Sequence, residues 1–207
     1  MAAGVPHVSV YMLEVDEESR LGRELIAGGT RYHAHFVPEE DTTADLYLGA
    51  CEQLNGAGIS QYEISNFARP GYESRHNLKY WTRAPYLGFG VDAHSMLRAA
   101  PHRSGCESVR FATPDALEAY VEGKESTVTP IDHAAAFEEE LFLGLRLTRG
   151  IGTSGAAADS PGVKEAISDL VTLGLLERDG DRVRLSSRGR LLSNEVFQRF
   201  LGAPRAH

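Results

Sequence analysis

Ten residues near the carboxyl end, Leu176 to Leu185, read LERDGDRVRL, and no other stretch narrows the possible folds as much. Two short runs of leucine, valine and arginine flank Asp179-Gly180, a dipeptide that favours the tight turn of a two-stranded hairpin. Helical patterns bracket it. VKEAISDLVTLGLL precedes the hairpin with apolar residues at helical spacing, and SSRGRLLSNEVFQRFL follows it behind a serine suited to cap a helix. Further back, DHAAAFEEELFLGLRL (132–147) aligns Phe137, Leu141 and Leu145 on one face and is expected to turn its three consecutive glutamates largely outward. Helix, helix, two-stranded wing, helix is a winged-helix-like plan, with TSGAAADSPG (153–162) as a loop inside it.

The first half has a different rhythm. HVSVYML (7–13) reads as a strand, EESRLGRELIA (17–27) as a helix stopped by Gly28-Gly29, and a second helix runs from about Thr42 to Leu54. QYEIS (61–65) and YLGFG (86–90) read as further strands, the latter ending in a glycine turn. Strand, helix, strand, loop, strand is the order of a parallel α/β sheet. SVRFA (108–112) is one more short strand, and TPDALEAYVEGK (113–124) is a helix with Thr113 as its cap. The change of pattern divides the chain into an α/β part, residues 1–110, and a helical, winged-helix-like part, residues 111–207.

Composition removes several classes of function. With 207 residues, 42% of them apolar, the chain can bury a core. Its 21 basic against 29 acidic residues give a net charge of −8, and no long basic run interrupts it, so neither nucleic acid nor an anionic membrane is an expected partner. No run approaches the roughly 20 apolar residues of a membrane span. The amino-terminal MAAGVPHVSV has no basic start and no apolar signal core, so a cytoplasmic location is expected. Cys51 and Cys106 are the only cysteines, too few to close a zinc or iron–sulfur site.

Three places carry candidate chemistry. In RYHAHF, the alternation of His33 and His35 puts both rings on one side of an extended segment, but no third metal ligand is near and two solvated loop histidines account for it. His94, after the glycine turn in GFGVDAHS, is expected at the carboxyl end of a strand, where α/β folds gather ligands; a loop histidine capping the turn fits equally well. RHNLKYW (75–81) follows a loop-like run, and as a helical turn it would set His76 with Tyr80 on one face and Asn77 with Trp81 on the next. An imidazole beside two broad aromatic surfaces suits an axial ligand to heme iron, with Arg75 or Lys79 near the propionates. Aromatic anchoring of a loop to the core explains the same residues.

EEDTTADLYLGACEQL, QYEISNFARPGYESRHNLKYW, YLGFGVDAHSML and LVTLGLLERDGDRVRLSSRGRLLSNEVF together resemble the HemW branch of the oxygen-independent coproporphyrinogen III oxidase-like radical SAM proteins. HNxxYW, here His76, Asn77, Tyr80 and Trp81, is the motif specific to that branch. The resemblance implies a heme-binding protein that delivers heme to an acceptor protein, with His76 as candidate ligand to the heme iron and Asn77, Tyr80 and Trp81 completing the site. It also implies the late part of a radical SAM (β/α) barrel followed by a HemN-type carboxyl-terminal domain. Intact members hold a [4Fe-4S] cluster on CxxxCxxC and bind S-adenosyl-L-methionine on its open iron. That motif is absent here, so the chain is expected to resemble the carboxyl-terminal portion of the family and to be inactive alone in radical chemistry. The other activity carried by the family name is oxidative decarboxylation of coproporphyrinogen III propionates, within porphyrin biosynthesis.

Overall fold

The structure is a computed structural model that describes residues 4–100, 105–153 and 161–201. It divides into two compact units, residues 1–73 and 74–207. The division falls just before RHNLKYW, which therefore belongs with the second unit, whereas the compositional change near residue 110 lies within a strand of that unit.

The first unit contains strand β1 (His7–Ser9), helix α1 (Arg20–Ile26), a 3-10 segment (Arg31–Phe36), helix α2 (Glu40–Gly56) and strands β2 (Ser60–Gln61) and β3 (Asn66–Ala68). Its sheet has the order β1-β3-β2, and both pairings are antiparallel. The parallel order read from the sequence is thus not found in these pairings. Only four residues join β2 to β3, and a parallel pair needs a crossover of a dozen or more. Of QYEIS, only Gln61 lies in a strand, and the rest forms the connection to β3. Glu63 is fully buried, and its carboxylate accepts from Ser65 N at 2.8 Å and from Asn66 Nδ2 at 2.5 Å. The buried Glu63 carboxylate thus takes the bonds of the turn that leads into β3. Leu54, Ile59 and Phe67 form the core, with Val8, Val10 and Cys51 packed on it.

The second unit begins with α3 (Arg75–Trp81) and continues through β4 (His94–Arg98), β5 (Ser108–Ala112), α4 (Leu117–Val121) and β6 (Thr127–Ile131). β4, β5 and β6 form an antiparallel meander. YLGFG is not a strand: Tyr86 alone makes a bridge, to Met96 of β4, and the paired strand is the following HSMLR. Thr113 does not cap α4 either. Its hydroxyl donates to Gly90 O at 2.6 Å and accepts from Ala93 N at 2.8 Å, closing the turn before β4.

α5 (His133–Leu145), β7 (Ile151–Gly152), α6 (Pro161–Thr172), β8 (Leu176–Asp179), β9 (Arg182–Leu185), α7 (Ser187–Leu191) and α8 (Ser193–Gln198) complete the chain. They give the winged plan, with a third strand added to the wing in the order β7-β9-β8. Asp179 pairs with Arg182, so the two turn residues are Gly180 and Asp181 rather than Asp179 and Gly180. Gly180 takes a φ of 60° at the first of them, as a tight hairpin of this type requires. Ser186 caps α7 by accepting from Gly189 N at 2.9 Å while donating to Gly174 O at 2.7 Å. Most of the TSGAAADSPG loop lies outside the described residues. Among those described, no helix is long and apolar enough to cross a membrane.

Candidate functional site

RHNLKYW forms a helix of 7 residues because both of its ends are closed locally. At the start, Ser74 Oγ accepts from Asn77 N at 3.2 Å, satisfying one of the amides a helix leaves open. At the end, Ala84 N donates to Lys79 O at 2.8 Å and Arg83 N to Tyr80 O at 3.1 Å, the paired bonds of a Schellman stop. The left-handed residue of such a stop is usually glycine. Here it is Arg83, with φ 47°.

What holds an arginine in that conformation is its side chain, only 2% exposed. Nε donates to Glu139 Oε2 at 2.7 Å, Nη1 and Nη2 donate to Glu107 Oε2 at 3.1 Å, and Nη2 also reaches Ser108 Oγ at 3.0 Å. Glu139 lies on α5, Ser108 on β5 and Glu107 just before it, so one side chain ties the end of α3 to both. Arg110 of β5 binds the other oxygen of Glu139, Oε1, at 2.9 Å, and Arg98 of β4 pairs with Glu107. Buried charges are tolerated when opposite charges and hydrogen bonds occupy their polar atoms, and this cluster meets that condition. The glutamates of α5 therefore do not all face outward: Glu139 is buried and Glu140 exposed.

The aromatic residues form a chain beside this cluster. His76 and Tyr80 meet edge to face with centroids 5.1 Å apart, as their spacing of four predicts, and Tyr80 meets Tyr86 likewise at 4.7 Å. Burial raises the Tyr86 phenol above its ordinary pKa; the nearby Arg110 charge opposes the shift, and Tyr80 and Glu139 add to it. Trp81 turns to α5 instead, where Arg146 lies 4.3 Å above its ring centroid. Its indole Nε1 is buried with no hydrogen-bond partner among the described residues. Asn77 is half-buried in the first turn, while Arg75, His76 and Lys79 are exposed. The next segment exposes Leu87 at 56% and Phe89 at 87%, so apolar surface open to a ligand follows directly on Tyr86.

The other candidate histidines are placed differently from their sequence reading. His33 and His35 sit in the 3-10 segment, where Tyr32 and His33 have positive φ, and not on an extended strand; their rings are 6.3 Å apart. His94 opens β4 instead of closing a strand, exposed, with Nε2 3.7 Å from Asp92 Oδ1. No group of three or more His, Cys, Asp or Glu among the described residues is arranged to hold a metal ion. Cys51 and Cys106 are the two thiols of the chain, fewer than the ligands an iron–sulfur cluster takes.

Residues 131–192 match the HemN C-terminal domain. Over 204 residues the chain is 34% identical to a protein of Bacillus subtilis named heme chaperone HemW, covering 95% of this chain and 51% of that one. A heme chaperone HemW of Mycobacterium tuberculosis is 32% identical over 209 residues, covering 97% and 48%. The zebrafish radical S-adenosyl methionine domain-containing protein 1, mitochondrial, is 34% identical over 154 residues, covering 70% and 33%. The chain thus spans about half the length of the bacterial relatives it matches. Among solved structures, Escherichia coli coproporphyrinogen III oxidase HemN, described as a radical SAM enzyme, superposes with a TM-score of 0.57 at 16% identity, over 79% of this chain and 42% of that one. The shared fold is the mixed helix and sheet architecture of that enzyme.

Proposed function

We propose that this chain, similar over nearly its whole length to about half of the bacterial heme chaperones named HemW, binds heme at α3, with His76 as the axial ligand, and passes it to an acceptor protein. The observation that carries the reading is the presentation of His76. Its imidazole is exposed on a helix closed at both ends and is braced edge-on by Tyr80, so a ring nitrogen is available without rearrangement of the backbone. Tyr80, Tyr86, Leu87 and Phe89 extend aromatic and apolar surface away from that ring, suited to a flat macrocycle. Arg75 and Lys79, exposed on the same helix, supply cations for the propionates. Trp81 acts one layer back, fastening the helix to α5 under Arg146.

An exposed ligand also suits transfer, since an acceptor must reach the iron as the chaperone lets go. Radical chemistry would need a set of clustered thiolates, and this chain has two cysteines. We therefore assign this chain the cargo site and no catalytic residue.

Titration of the purified chain with hemin, followed through the Soret band, tests the site. His76→Ala is expected to weaken binding at least roughly tenfold, the loss that even an outer partner of a metal ligand causes, and to shift the band. An unchanged titration and spectrum would sink the assignment.

A further inference from the structure

The buried cluster behind α3 connects to the exposed histidine through a continuous set of contacts. Glu139 uses its two oxygens on two different elements: Oε2 takes Arg83 at the end of α3, and Oε1 takes Arg110 on β5. Tyr86 bridges Met96 of β4, Met96 pairs in register with Arg110 of β5, and the Tyr86 ring meets Tyr80 edge to face as Tyr80 meets His76. α3 is thus held from its carboxyl end by Arg83 and along its ring-bearing side by Tyr86, and both holds return to one carboxylate. A carboxylate charge-paired at both oxygens has a single orientation, because any other would leave a buried guanidinium or a buried oxygen unpaired. Glu139 is 9% exposed while the side chain of neighbouring Glu140 is 55% exposed and only 3.7 Å from Arg83, so the hub is one particular residue of the acidic triplet.

We infer that Glu139 is a positioning residue for His76, fixing the imidazole through Arg83 on one side and through Arg110, Tyr86 and Tyr80 on the other. The inference rests on the proposal that His76 binds heme, and it deepens it. Glu139 lies within the matched HemN C-terminal domain, so that domain contributes to the geometry of a ligand helix that precedes it. Its role is to hold the ring without touching the cargo.

The 207-residue chain without heme supplies the first readout: the NMR shifts of the His76 ring protons, which the edge contact with Tyr80 displaces through its ring current. Glu139→Gln is expected to move those shifts toward the values of a free histidine. Arg110→Met, at a half-exposed position that leaves the Arg83–Glu139 pair intact, is expected to move them in the same direction, and it keeps the test decisive should Glu139→Gln fail to fold. Heme titration is the second readout. Each variant should weaken binding by roughly tenfold, within the range of coupling between contacting residues, and each should have no further effect in a His76→Ala background. Ring shifts unmoved in Arg110→Met, or equal losses of affinity with and without His76, overturn the positioning role. Shifts that move as expected while His76→Ala binds heme normally leave the positioning role standing and overturn the heme assignment instead.

Discussion

Arg83 shows how one side chain can set a backbone conformation its own type disfavours. A left-handed arginine costs roughly 1–2 kcal/mol relative to an ordinary conformation, which glycine would avoid. Glycine, however, would leave Glu139, Glu107 and Ser108 facing a void. Removing one partner of a buried ion pair costs roughly 3–5 kcal/mol when the other charge is left alone, and here the lower end applies because Arg110 still pairs with Glu139 and Arg98 with Glu107. Arg83→Met is therefore expected to lower unfolding stability by about 3 kcal/mol in urea titration, and the double variant Arg83→Met with Glu139→Gln by clearly less. Additive losses from the two single changes would show that the residues do not act as a pair.

α3 illustrates the same dependence for an element. Seven residues are well short of the roughly 12–15 that an isolated helix needs in water, so its helicity comes from its ends and from what it leans on. Ser74→Ala removes the bond to Asn77 N and should cost about 1 kcal/mol of stability. The loss should be local: amide exchange at Leu78, whose N–H donates to Ser74 O, is expected to speed up while β5 amides keep their protection. The wing is tied more tightly. Gly189 lies so close to the Leu175 carbonyl that a Cβ would collide with it, which explains a glycine in the middle of a five-residue helix, where propensity disfavours it.

For the whole molecule, the winged plan raises a DNA-binding expectation that its charges oppose. The net charge is −8, and two cations of the wing are already engaged: Arg182 donates to the Arg149 and Gly150 carbonyls, and Arg184 pairs with Glu177. No specific or salt-dependent affinity for duplex DNA is expected between about 50 and 200 mM salt, a comparison that anisotropy with a labelled duplex makes directly. Much of this molecule was legible in its sequence where the information is local. Helical spacing placed α2, α5 and α6, the glycine turn placed the hairpin, and a spacing of four placed His76 against Tyr80. The short strands were misjudged because strand pairing is set by distant partners: QYEIS became a turn around buried Glu63, and pairing passed from YLGFG to HSMLR. The cluster of Arg83, Glu107, Arg110 and Glu139 left only a faint trace in the sequence, an arginine two residues past HNxxYW and an acidic triplet in an otherwise apolar helix. By itself, then, the sequence determined that RHNLKYW is a short helix with His76 set against Tyr80, because capping and helical periodicity act within a few residues. Which acid is buried, where Trp81 turns, and what holds His76 in place were decided by tertiary structure alone, because charges separated by 24 and 56 residues in the chain find one another only when folding removes water from between them.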